Sequence, residues 1–167
     1  YKQLIQLTDY STLTTPTVME PFPKFRAYLQ ATRLRLLEHI MHAEQASPEE
    51  AIDHIVEEIH ALRHQMSKAD HLLSKMVSIN QVADYLQVLA IILNKYHLTL
   101  PTQIPELTED ERSLELPMMR EFIANYHIFQ QVSVNPGDDF RAPSWALHFV
   151  YKPNMSANSA YLDFAHI

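Results

Sequence analysis

A single glycine, Gly137, in 167 residues is the strongest restriction on what this chain can fold into. Glycine adopts positive φ angles without steric penalty, and tight hairpins and phosphate-cradling loops draw on it repeatedly. A chain with one glycine and ten prolines is expected to form long helices joined by proline-marked loops. Walker-type loops, dinucleotide-binding loops and the Gly-x-Ser-x-Gly nucleophile elbow all need several glycines, so the enzymes that depend on them are excluded.

The length suits one domain spanning residues 1–167, and the 47% hydrophobic and 20% charged content is that of an ordinary globular chain. Because the first residue is Tyr1 and not Met, the chain is also compatible with being a fragment of a longer protein. The apolar run from Val88 to Leu93 is bounded by Asp84 and Lys95. That is well short of the ~20 apolar residues a bilayer requires, so it is expected to be a core helix and not a membrane span. The absence of Cys excludes disulfides, thiolate metal ligands and a thiol nucleophile, but does not fix the compartment. A cytoplasmic location is the default expectation, with a secreted effector as the other candidate.

The expected fold is mainly α, a multi-helix bundle with a small C-terminal β-sheet or hairpin. An extended lead-in covers residues 1–19, the helical bundle 21–130 and the β-containing part 131–167. Phe25, Leu29, Thr32, Leu36 and Ile40 recur at helical spacing to about Ala46. Ser47-Pro48-Glu49-Glu50 then starts a second helix: Ser47 caps free amides, Pro48 fits the first helical position and Glu50 completes a capping box. Its apolar stripe is Ile52, Ile55, Val56, Ile59, Leu62 and Met66. A short helix is expected from Lys68 to Val77, followed by one capped by Ser78 whose buried residues are Ile79, Val82, Leu86, Leu89, Leu93 and Tyr96. Thr108 to Glu111 offers another capping box. Pro117 separates that helix from one at Met118 to Phe129, with Met119, Phe122, Ile123 and Tyr126 inward. Strands are expected at Val132 to Val134, Ser144 to Tyr151 and Ala160 to Ala165.

Ten histidines invite a metal reading, and His60 and His64 lie one helical turn apart. At ~100° per residue, however, His60, His64, Glu57 and His54 all fall far from the apolar stripe, toward water. A ferritin-like iron site needs Glu-x-x-His on two inward faces, and only Glu57 to His60 supplies one. No cofactor and no metal site is therefore assigned, and no catalytic residue is named. The net charge of −7 disfavours nucleic acid, whose phosphates demand a concentrated positive field. Ser78 to Leu86 superficially matches the start of a helix-turn-helix, but its periodicity continues without a turn. Protonating all ten histidines would move the charge from −7 to +3, which also permits an acid-sensitive surface.

Charge along the chain is uneven. Lys24, Arg26, Arg33 and Arg35 form a basic stretch, followed by the acidic Glu44, Glu49, Glu50, Asp53, Glu57 and Glu58. Two antiparallel helices could pair these charges with each other, or they could form a charged docking surface. With no complete catalytic set, the leading expectation is a non-catalytic protein-interaction module, such as an adaptor, chaperone-like subunit or effector domain. It would contact another protein through Lys24, Arg26, Arg33 and Arg35 and through Glu57, His60 and His64. Its oligomeric state is left open. The rival expectation is an enzyme or small-ligand receptor with a site between bundle and sheet, using Trp145, His148 and Tyr151.

Overall fold

The computed structural model describes residues 25–100 and 103–134 together with Met155, Asn158, Tyr161 and Leu162. Every element among them is a helix: α1 (Phe25–Gln45), α2 (Pro48–Lys68), α3 (Leu72–Tyr96), α4 (Glu109–Arg112) and α5 (Glu115–Val134). The chain divides into two compact units, the first closing at Ser113 and the second opening at Leu114.

In the first unit, α1, α2 and α3 pack pairwise on one another and α4 docks on α2. Only Ala46 and Ser47 separate α1 from α2. Tyr28 pairs with Gln65, Arg35 with Glu58 and His42 with Glu50, so the two helices run antiparallel. Between α1 and α3 the partners instead rise together, from Thr32–Gln81 to Glu44–Lys95, and the helices are parallel. The result is an up-down-up three-helix bundle. Its core includes Leu36 and Ala43 of α1, Ile52, Ile55, Ile59 and Leu62 of α2, and Tyr85, Leu89 and Ile92 of α3.

The expected start signals form, with one difference. The Ser47 hydroxyl accepts the Glu50 amide at 3.2 Å with Pro48 in the first turn, but the Glu50 carboxylate meets His42 at 3.2 Å instead of closing the box. At Thr108 the box is complete in both directions. α3 ends on His97, whose φ of 55° occupies the left-handed region normally given to glycine. The Leu98 amide reaches the Leu93 carbonyl there at 3.0 Å, tying off an otherwise free helix end.

Three expectations about the helices are corrected. Ser78 does not start a new helix: no Pro or Gly lies between Leu72 and Tyr96, so nothing interrupts the backbone ladder and α3 runs through it. Its inward face is also rotated, with Ser74, Lys75, Ser78 and Gln81 buried and Ile79 and Leu86 exposed. By length and composition α3 is apolar enough to cross a membrane, although its buried side carries these four polar residues. Pro117 does not separate two helices but lies in the first turn of α5, where its missing N–H would have had no helical partner.

α5 also continues through Val134, so Val132 to Val134 end a helix and do not begin a strand. Met119, Ile123 and Tyr126, expected inward, are exposed, while Phe122 meets Tyr161 edge-on at 5.6 Å. Tyr161 and Leu162 are helical, and the rest of the strand expected at Ala160 to Ala165 lies outside the described residues. The lead-in and the strand expected at Ser144 to Tyr151 lie outside the described residues.

Candidate interaction surface

Two clusters of charged groups among the described residues enter the bundle interior, and each is closed by its own partners. At the first, Glu58 of α2 is buried between α1 and α3. It accepts from Arg35 Nε at 2.8 Å and Tyr85 Oη at 2.6 Å, and lies 3.2 Å from His39 Nε2. Burial works to raise the Glu58 pKa, but the hydrogen bonds from His39, Arg35 and Tyr85 together outweigh it and hold the carboxyl at about 2. Burial likewise works against the charged Arg35, yet its bonds to Glu58 and Glu38 leave its pKa raised. Around this cluster, Tyr28 Oη donates to Gln65 Oε1 at 2.9 Å and Gln81 Nε2 to Thr32 Oγ1 at 2.5 Å.

The second place fastens the segment after α3 onto the bundle. Arg63 forks onto Glu111, Nε to Oε1 at 2.8 Å and Nη2 to Oε2 at 2.6 Å, while also donating to the Pro105 and Glu106 carbonyls at 2.7 Å. Hydrogen bonding from Arg63 outweighs burial and, with the Thr108 amide, holds the Glu111 carboxyl at about 2. Beside it Lys75, only 1% exposed, donates to the Met66 carbonyl at 2.9 Å and the Asp110 carbonyl at 3.0 Å. Burial pushes the Lys75 pKa down, against the attraction of Glu111 and Asp110.

Neither place has the form of a catalytic centre. Glu58 and Glu111 stay ionised near neutrality with their oxygens accepting from protein donors, and Lys75 is buried with its ammonium on backbone carbonyls. Among the described residues, no three His, Asp or Glu side chains are grouped so as to hold a metal ion.

The outward faces of the helices offer a different chemistry. On α2 the exposed residues include Asp53, His54, Glu57, His60 and His64, so Glu57, His60 and His64 share one polar face. On α1, Leu34, Leu37 and Met41 are 63%, 55% and 53% exposed. Their spacing puts them on one stripe, opposite the buried Thr32, Leu36, His39 and Ala43 at ~100° per residue. On α3, Met76, Ile79 and Leu86 are exposed in the same way.

The basic residues singled out in the sequence do not act as a set. Arg26 and Arg33 are exposed on α1, whereas Arg35 turns inward to Glu58 at 2.7 Å. Lys24, Trp145, His148 and Tyr151 lie outside the described residues. Sequence reasoning overlooked His39, Tyr85, Arg63 and Lys75 and gave Glu111 only a capping role, while the pairing of the basic stretch with the acidic one across antiparallel helices is made by Arg35 and Glu58. For Arg63 a signal existed: its wheel angle falls inside the apolar stripe of α2, between Ile52 and Val56, whereas Glu58 falls on the flank of the stripe, beyond Leu62.

No protein-family model, curated protein or solved structure matches the chain.

Proposed function

We propose that this chain is a non-catalytic protein-interaction module that offers the outward faces of its long helices to another protein. The observation that supports this reading best is the stripe of Leu34, Leu37 and Met41, exposed on the side of α1 that the core does not use. An apolar stripe at i, i+3 and i+7 is what one amphipathic helix presents to another protein surface. Burying such side chains is favourable at roughly 25 cal/mol per Å² of apolar area. The exposed Arg26 and Arg33 beside this stripe, and Glu57, His60 and His64 on α2, would then set orientation more than affinity. Interior ionisable groups fit the same reading, since Glu58, Arg63, Lys75 and Glu111 are engaged in holding the bundle together. An adaptor-like role needs no cofactor, and the reading carries a cytoplasmic location as its default.

The test places a photoreactive amino acid at Leu37, at Ile79 or at Glu57 in the full chain and irradiates the cells that make it. A discrete cross-linked protein from Leu37 or Ile79, and less from Glu57, is expected. Failure of every position to capture a protein, together with reproducible turnover of a small molecule by the purified chain, would overturn the reading.

A further inference from the structure

We infer that the outward face of α2 binds a divalent transition-metal ion of the Zn2+, Ni2+ or Cu2+ kind through His60 and His64. The two residues stand one helical turn apart, and both are exposed. At ~100° per residue they lie ~40° apart around the helix, and side chains spaced in this way have Cβ atoms ~5–6 Å apart. An imidazole nitrogen holds such an ion at ~2.0–2.1 Å, so two rings over the same turn reach one ion between them. The same spacing is the chelating element of helices that hold zinc through His-x-x-x-His.

Packing fixes the backbone beneath the pair. Ile59 and Leu62 are fully buried, and Arg63 is fastened to Glu111 at 2.6 Å. An ion therefore orders two side chains and no backbone, which keeps the cost of binding low. Charge over this face favours a cation as well. Exposed Glu49, Glu50, Asp53 and Glu57 precede the pair, and no exposed Lys or Arg lies between Glu49 and His64. Asp53, Glu57, His60 and His64 fall within ~60° of one another around the helix, so the carboxylates raise the local concentration of cations at the imidazoles.

Among the described residues no group of three ligating side chains forms, so the site is an open one, with two imidazoles from the chain and water at the remaining positions. Imidazole selects borderline ions over Mg2+ and Ca2+, which prefer oxygen ligands. Ala61 stands where the hydrolytic zinc helices carry their glutamate base, so the site binds an ion without turnover. Other histidines of the bundle are differently engaged: His39 is buried against Glu58, and His42 meets Glu50.

Isothermal titration of the untagged full chain, first stripped of metal with chelator, tests this with ZnCl2, NiCl2 and MgCl2. Zn2+ and Ni2+ should bind and raise the melting temperature, since an ion held by the folded chain shifts unfolding by mass action, and Mg2+ should do neither. His60→Gln and His64→Gln should each weaken binding by at least the ~10-fold that even outer-shell changes around a metal cost. Glu57→Gln should weaken it less, because Glu57 acts through the field alone. His54, whose ring stands 6.1 Å from that of His42, is the control, and His54→Gln should leave binding unchanged. All four side chains are exposed, so circular dichroism should show the variants folded. No heat of binding up to ~1 mM ion, the weak end of specific association, would overturn the inference. So would Zn2+ binding that survives the double change of His60 and His64 to Gln, which would put the ion elsewhere in the chain. A response to Mg2+ equal to that for Zn2+ would overturn it too, by assigning the ion to the carboxylates.

Discussion

Helices α1 and α2 have the same length and lie side by side, yet they divide polar from apolar in opposite ways. On α2 the outward face is polar, with Asp53, Glu57, His60 and His64, while the inward face mixes Ile52, Ile55, Ile59 and Leu62 with buried Glu58 and Arg63. On α1 the inward face is narrow and partly polar, with Thr32 and His39 beside Leu36 and Ala43, and the outward face bears Leu34, Leu37 and Met41. An amphipathic helix in a monomer is expected to have one apolar stripe, and α1 has two. Charge buried in one helix and hydrocarbon exposed on the other are different observations. The first concerns how the bundle is held together, and the second concerns what it could receive.

The sharpest way to break that comparison is at two adjacent residues. Glu58→Ala leaves Arg35, His39 and Tyr85 without their shared acceptor and should destabilise by about 3–5 kcal/mol, the usual range for breaking a buried charge pair. Glu57→Ala, on the exposed side of the same turn, should stay within about 0.5 kcal/mol in urea unfolding. Equal effects would mean that Glu58 is not the buried centre described here.

On α1 the corresponding pair is Leu36 and Leu37. Leu36→Ala should cost about 2–3 kcal/mol, while Leu37→Ala should cost less than about 0.5 kcal/mol in dilute solution, where the outward face is uncovered.

Acid should sharpen the difference further. The Glu58 and Glu111 carboxyls are held at about 2, below the ordinary value of 4.5, so the stability they contribute is present above about pH 4.5 and is lost as pH falls toward 2. Thermal melts of the parent chain should fall steeply across that window, and those of Glu58→Gln less steeply. A parallel decline of the two would remove Glu58 as a source of acid sensitivity.

A smaller effect than those of Glu58 and Leu36 is expected outside both helices. Left-handed backbone costs a non-glycine residue roughly 1–2 kcal/mol, offset by the extra freedom glycine has in the unfolded chain. His97→Gly should therefore stabilise by about 0.5–1 kcal/mol in urea unfolding.

How much was legible in the sequence differs between these regions for a physical reason. α2 could be read because its branched apolar residues repeat on one side and Ser47-Pro48 marks its start. The complete Thr108 capping box was legible too, since its residues are three apart. α3 was misread at Ser78 and in its buried face, because a side chain such as Gln81 is judged polar until a partner like Thr32 lies 2.5 Å away. Of the surface residues singled out in advance, Arg35 differs most from its expected setting, since the packing of α1 on α2 gives it an interior partner.

Local chemistry in the sequence by itself determined a glycine-poor helical chain, the positions where α2 and α4 begin, and the apolar stripe of α2. Tertiary structure alone decided that Glu58 and Lys75 belong inside. Burial of a charge depends on partners far along the chain, here 23 residues from Arg35 to Glu58 and 48 from Arg63 to Glu111. On α1 the stripe through Thr32 and Leu36 read from the sequence is the side the bundle takes, although a second apolar stripe lies opposite.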